Sequence, residues 1–121
     1  MSNKNTKIQA QNLVRRRHQL RRVLTDPRPL LIGTVYKTRV RCGNPRCHCA
    51  KGLAHPKTFL VFQDGGKRRC KLVRLADVRW VFQAAERYKN FRNALREIRS
   101  IDLKEVRNFM AMAQERAIRY Q

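Results

Sequence analysis

A chain of 121 residues has room for one domain, or a compact centre with helical extensions, and for a modest core. Its 42% of hydrophobic residues is enough to fold, while a mean hydropathy of −0.66 and the lack of any apolar run near the roughly 18 residues of a span exclude a membrane-crossing helix. Its 29 Lys and Arg against 8 Asp and Glu give a formal net charge of +21, so the molecule repels itself until a polyanion neutralises it.

That composition implies a nucleic acid, DNA or RNA, as partner. An anionic membrane is the other polyanion available, but there is no lipidation motif and only a single Trp, at position 80. The excess is uneven: positions 1–29 hold 8 basic and 1 acidic residue, 30–75 hold 11 and 1, and 76–121 hold 10 and 6. The opening, MSNKNTKIQAQN, lacks the apolar centre of a signal peptide, which points to a reducing, cytoplasmic setting, with the protein on the nucleoid or in a ribonucleoprotein. The pattern divides the chain into a basic arm over 1–29, a metal loop with a β-hairpin over 30–75, and a helical hairpin over 76–121. Together these make one compact α+β domain with an extension.

In chain order, Met1 to Thr6 is polar and is expected to be disordered in isolation. Ile8, Leu13, Leu20, Val23 and Leu24 recur at near-helical spacing and predict a helix over 7–24, stopped by Asp26-Pro27-Arg28-Pro29. Arg15, Arg16, Arg17, Arg21 and Arg22 share its other face as a strip suited to phosphates, whether the segment is a helix or a tail that orders on binding. Ile32, Thr34, Val35, Tyr36, Thr38 and Val40 predict a strand over 30–41. Its alternation gives a basic face of Lys37, Arg39 and Arg41 and a packing face of Tyr36, Thr38 and Val40.

That strand leads into CGNPRCHCAKGLAH, Cys42 to His55, which gathers three of the four cysteines and two of the three histidines into fourteen positions. Zinc takes four soft or borderline ligands in a tetrahedron, and Cys42, Cys47, Cys49 and His55 supply a Cys₃His set for one Zn²⁺. Gly43, Asn44, Pro45 and Gly52 let the backbone turn so that the thiolates converge. A loop so poor in apolar surface has the metal as its main source of order. Free thiols and disulfides are the competing readings, the latter disfavoured in a reducing compartment. Cys70 competes with His55 for the fourth position, and His48, between two cysteines, is a surface or supporting residue. The spacing C-x4-C-x-C-x5-H lacks the paired C-x2-C knuckles of common zinc fingers and ribbons. Arg46 and Lys51 project from this loop as phosphate contacts at defined positions.

The apolar run TFLVF predicts a second strand over 57–62. Gln63-Asp64-Gly65-Gly66 predicts a hairpin turn, and 67–75 a third strand. Lys67, Arg68, Arg69 and Lys71 are a further phosphate-binding group or a charged edge that blocks aggregation. The run VYKTRVRCGNPRCHCAKGLAH, with a short hairpin and a long charged helix after it, resembles a family of small prokaryotic proteins known only as a domain of unknown function. That family's pattern is an extended segment ending in CGxxxCxC, then a Gly and a His ahead of an aromatic strand and a helix. Cys42, Gly43, Cys47, Cys49, Gly52 and His55 meet it, within about positions 33–100. Where the family continues with Gly-Pro-aromatic, His55 here runs into Pro56, Lys57, Thr58 and Phe59. The resemblance implies the same order of elements and a setting among mobile genetic elements, as an accessory subunit of a nucleoprotein complex. It implies no activity.

Asp77 reads as the N-cap of a helix to about Arg99, with Val81, Ala84, Tyr88, Phe91, Leu95 and Ile98 as its stripe. Ser100 and Ile101 interrupt, and Asp102 with Glu105 forms a capping box for a last helix striped by Leu103, Val106, Met110, Ala113, Ala117 and Tyr120. The two are expected to pair as an antiparallel hairpin, whose seams serve as core or meet a protein partner or a second copy. Trp80 is either core or a base-stacking ring. Six of the eight acids fall in this stretch at spacings of surface ion pairs, so the clustered carboxylates of metal-dependent nucleases and transposases are missing and no catalysis is expected. Three functions remain: a nucleic-acid-binding module, a structural RNA-binding component of a ribonucleoprotein, and an adaptor for a larger nucleic-acid enzyme. The 7% of aromatic residues counts against a platform for stacking single-stranded bases.

Overall fold

The computed structural model describes residues 2–120, which divide into two compact units. One unit is Arg28–Lys89 and holds a three-stranded antiparallel sheet, β1 (Thr34–Val40), β2 (His55–Asp64) and β3 (Lys67–Leu72), in the order β1-β2-β3. It also holds the first turns of a long helix. The other unit pairs α1 (Ser2–Leu24) with the rest of that helix, α2 (Val78–Arg116). The architecture is α+β, with an N-terminal helix and a long C-terminal helix as expected.

Local chemistry sets the strand ends. β1 starts at Thr34 and not at Leu30, because Gly33 adopts φ +140°, a conformation closed to other residues. A methyl at Gly33 would lie 2.8 Å from the Leu60 side chain and 2.9 Å from the Val61 carbonyl oxygen, so the backbone can pass β2 only without one. Ahead of it, the Leu31 amide donates to the Ala84 carbonyl of α2 at 3.1 Å, and Arg87 Nε donates to the Pro29 carbonyl at 2.9 Å. The turn between β2 and β3 consists of Gly65 and Gly66, both at positive φ, as a tight two-residue hairpin needs. β3 ends at Leu72, three residues sooner than predicted, and the Val73 amide turns to Thr58 O at 2.8 Å.

The faces of β1 are the reverse of the sequence expectation. Val35 is half-buried and Lys37 carries its ammonium over the Phe82 ring, 5.1 Å from the centroid, so this is the face turned to α2. Tyr36 and Val40, expected to pack, are 50% and 40% exposed. A lysine has an aliphatic stem to bury and a cation for the ring face, so a basic alternation does not mark solvent.

In the second unit, Leu20, Ala94 and Ile101 are buried and Leu13, Leu24 and Ile98 pack on them. Arg16 makes a bidentate pair with Glu97 through Nε and Nη2, and Arg17 reaches Asp102 and Glu105, the latter at 2.9 Å. These contacts overturn the predicted helical hairpin: α2 runs unbroken through Ser100 and Ile101 for 39 residues. Neither Pro nor Gly stands there to break it. Ile101 is needed in the core, and the supposed capping-box acids serve Arg17. The helix that runs antiparallel to the end of α2 is α1. It extends to Ser2 in place of the expected polar tail over 1–6, of which Met1 lies outside the described residues. Ala94, not Leu95, joins the core stripe, while Leu103, Val106 and Met110 remain more than half exposed. Asp77 directly precedes α2 as predicted, but its carboxylate accepts from Trp80 Nε1 at 3.0 Å and Arg74 Nε at 3.1 Å. Trp80 is therefore 53% exposed and not core.

Gly33→Ala should lower unfolding stability by about 1–3 kcal/mol in chemical denaturation; an unchanged midpoint would mean that the approach of β1 to β2 is slack. The hydrogen bonds from Arg16 hold the Glu97 carboxyl below its ordinary 4.5, in spite of partial burial. A depressed carboxylate stabilises the fold above its unfolded value and loses that contribution as pH falls through the folded value. Glu97→Gln should therefore be less stable than the parent at neutral pH and equal to it in acid. A gap that persists at low pH would assign the effect to packing.

Candidate metal centre

The connection from β1 to β2 spans 41–54 and is polar, so its order must come from something other than a core. The Asn44 side chain accepts from the Arg46 amide at 3.0 Å, and the Cys47 amide donates to the Asn44 carbonyl at 3.0 Å. A single 3₁₀ turn, His48–Ala50, follows and closes with the Gly52 amide on the His48 carbonyl at 3.0 Å. These two turns bring the half-buried Cys47 and the buried Cys49 beside Cys42, which stays exposed. His55, the first residue of β2, pairs with Val40, the last of β1. The ends of the loop thus meet across a strand pair.

The donor atoms of Cys42, Cys47, Cys49 and His55 all lie within 4.8 Å of one another. Cys42 Sγ is 3.5 Å from Cys49 Sγ, and Cys47 Sγ is 3.2 Å from His55 Nε2. A tetrahedron with ligand bonds of about 2.0–2.3 Å has edges of about 3.3–3.8 Å, so the cluster has the dimensions of a metal site. Cys49 is the most buried side chain among the described residues, 1% exposed inside a loop with no apolar interior. No cysteine among the described residues is in a disulfide.

The electrostatics of the thiols fit the same use. The backbone at Asn44 pulls the Cys42 thiol down to about 6, helped by hydrogen bonds to Cys49, His55 and Cys47. At Cys49 the Cys42 backbone acts in the lowering direction, but burial and the Cys42 and Cys47 thiols outweigh it and hold the thiol up. One sulfur is a ready thiolate and its buried neighbour a reluctant one, because thiols gathered this closely oppose one another's ionisation.

Of the two candidates for the fourth position, His55 stands in the cluster. Cys70 lies on β3 opposite Val61, is exposed, and stands outside the cluster. His48 is also outside it; its ring meets that of His55 edge-on at 5.2 Å.

The basic residues assigned to phosphate fall into different roles. Arg41 Nη1 donates to the Cys49 and Gly52 carbonyls, and Arg39 Nη1 to the Ala54 carbonyl at 3.0 Å, so both brace the loop. Arg16 and Arg17 are held by acids, Arg69 pairs with Asp64 at 3.1 Å, and Lys37 and Lys71 lie over Phe82 and Phe62. Arg15, Arg21, Arg22, Arg46, Lys51, Lys67 and Arg68 are exposed. The bracing arginines were open to inference from their place at the strand end, beside a turn-rich loop whose carbonyls need donors.

Fold and site together define a small α+β protein with a Cys₃His cluster able to hold a metal ion. Residues 10–83 match the family model described as a domain of unknown function (DUF6788), and the chain belongs to that family. No curated protein and no solved structure matches the chain. Among the described residues, no helix is long and apolar enough to cross a membrane.

Cys47→Ser should reduce the metal content of the purified protein and loosen 41–54, and Cys70→Ser should leave both as they are. Elemental analysis with amide hydrogen exchange reads both effects; a loss of metal on substituting Cys70 in place of Cys47 would place the ligands elsewhere.

Proposed function

We propose that the chain is a non-catalytic nucleic-acid-binding zinc protein that grips the phosphate backbone through Arg and Lys. The observation that carries this reading is the charge left over once internal partners are counted. Only 8 acids face 29 cations, and several of those acids are engaged: Glu97, Asp102 and Glu105 by Arg16 and Arg17, Asp64 by Arg69, and Asp77 by Arg74. What remains is a large exposed cationic excess, the electrostatic footprint of a polyanion partner.

Zinc is the metal that suits three thiolates and an imidazole in a closed tetrahedral set. When bound, it would act structurally, neutralising the thiolates and making the loop rigid, with no position open for a water. Cys42, Cys47, Cys49 and His55 would hold it. Arg39 and Arg41 tie the surrounding carbonyls, and Arg46 and Lys51 project from a frame that presents their charges at set positions. The engaged carboxylates are in no position to serve a metal-dependent nuclease, which supports a binding role over a catalytic one. The setting is then an intracellular nucleoprotein complex.

A second role is favoured by one observation: Leu103, Val106, Phe109 and Met110 are more than half exposed over successive turns of α2. A face of this kind suits a protein partner or a second copy, as an adaptor would need.

Replacing Arg15, Arg21 and Arg22 together by Ala should weaken binding to all sequences alike. On duplex DNA the slope of log affinity against log salt should flatten by about 0.9 for each phosphate that the variant no longer neutralises. An unchanged slope would take α1 out of the interface, and no salt-dependent binding to any DNA or RNA by the parent chain would end the reading.

A further inference from the structure

We infer that the open face of the sheet, opposite the one turned to α2, is a base-stacking surface for single-stranded nucleic acid, with Tyr36 as its principal ring. This rests on the nucleic-acid reading and specifies which form of the polymer is bound. The register puts Tyr36, Phe59 and Leu72 in one row across all three strands. Directly paired residues lie on the same face of a sheet, so the row is continuous. Tyr36 is 50% exposed and Leu72 56%, with Phe59 half-buried between them. The row is an apolar floor with an uncovered aromatic edge, in a protein otherwise dominated by charge.

Its surroundings name the occupant. Lys57 pairs with Thr38 next to the row, Arg68 sits opposite Gln63 further along, and none of the strand positions on this face is acidic. Asp64, the only acid within the strands, belongs to the opposite face, where it pairs with Arg69. At the other end the face runs to Val40 and His55, where the metal loop carries Arg46 and Lys51. An exposed ring framed by cations and free of anions complements a strand whose bases are uncovered and whose phosphates are regularly spaced. A duplex offers its phosphates but keeps its base faces stacked, so it cannot use the row. The low aromatic content is no obstacle, since a stacking surface needs one or two rings in the right place.

The test compares two fluorescent oligonucleotides of equal length, one of thymidines and one of abasic deoxyribose phosphates, with full-length, metal-loaded protein at fixed salt. The thymidine strand should bind about tenfold tighter or more, the effect of stacking one base. Tyr36→Ala and Tyr36→Leu should erase that preference without lowering abasic binding, and Tyr36→Phe should keep it. Metal content and circular dichroism of each variant exclude unfolding as the cause. Equal binding of the two strands by the parent chain would overturn the inference and leave phosphate recognition standing. Failure of both to bind would remove phosphate recognition as well. A preference that survives Tyr36→Ala would move the stacking ring elsewhere. Loss of a dimer on Tyr36→Ala in sedimentation, with no change in base preference, would show the face to be covered by a second copy.

Discussion

The structure depends on how the connection between β1 and β2 is held. A polar loop of this length pays a chain-entropy cost with no apolar burial to offset it. What the loop has is four donor atoms of one cluster, closed at its base by the Val40–His55 pair and laced by Arg39 and Arg41. A divalent ion bound there would supply the free energy that apolar burial does not. The sheet feels the same constraint. His55 is both a donor of the cluster and the first residue of β2, so order in the loop and registry in the strand pair are one property.

A chain of net charge +21 must offset its own repulsion to fold at all. Its few acids are placed where they matter. Three of them, Glu97, Asp102 and Glu105, gather opposite Arg16 and Arg17 and let two helices approach with the small core of Leu20, Ala94 and Ile101 between them. Lys37 and Lys71 lie over rings, and Arg39, Arg41 and Arg87 donate to loop carbonyls. Cationic side chains thus divide into those that build the fold and those left exposed, and only the latter bear on the proposed binding. Individual surface pairs of this kind stabilise weakly, so the helix pair owes its existence mostly to the apolar seam and its register to the charges.

Much of this is legible in the sequence. The three clustered cysteines, the three strands, the glycine turn and the N-terminal helix follow from residue types with few alternative uses. The departures share one cause, that a side chain's role depends on what the fold brings opposite it. Asp102 and Glu105 form a capping-box pattern, yet a helix with neither Pro nor Gly at Ser100–Ile101 has no reason to stop, and Arg17 lies across from both. The alternation of β1 is correct as a period and inverted as a face, because Lys37 finds Phe82 forty-five positions away. Whether His55 or Cys70 completes the cluster is not contained in the spacing, and needs the pairing of Val40 with His55.

X-ray absorption at the zinc edge of the purified full-length protein tests the central claim most directly. The account predicts about one zinc per chain, with three sulfur neighbours at about 2.3 Å and one nitrogen at about 2.0–2.1 Å. A shell of oxygen and nitrogen alone, or a well-ordered protein that carries no metal, would contradict it.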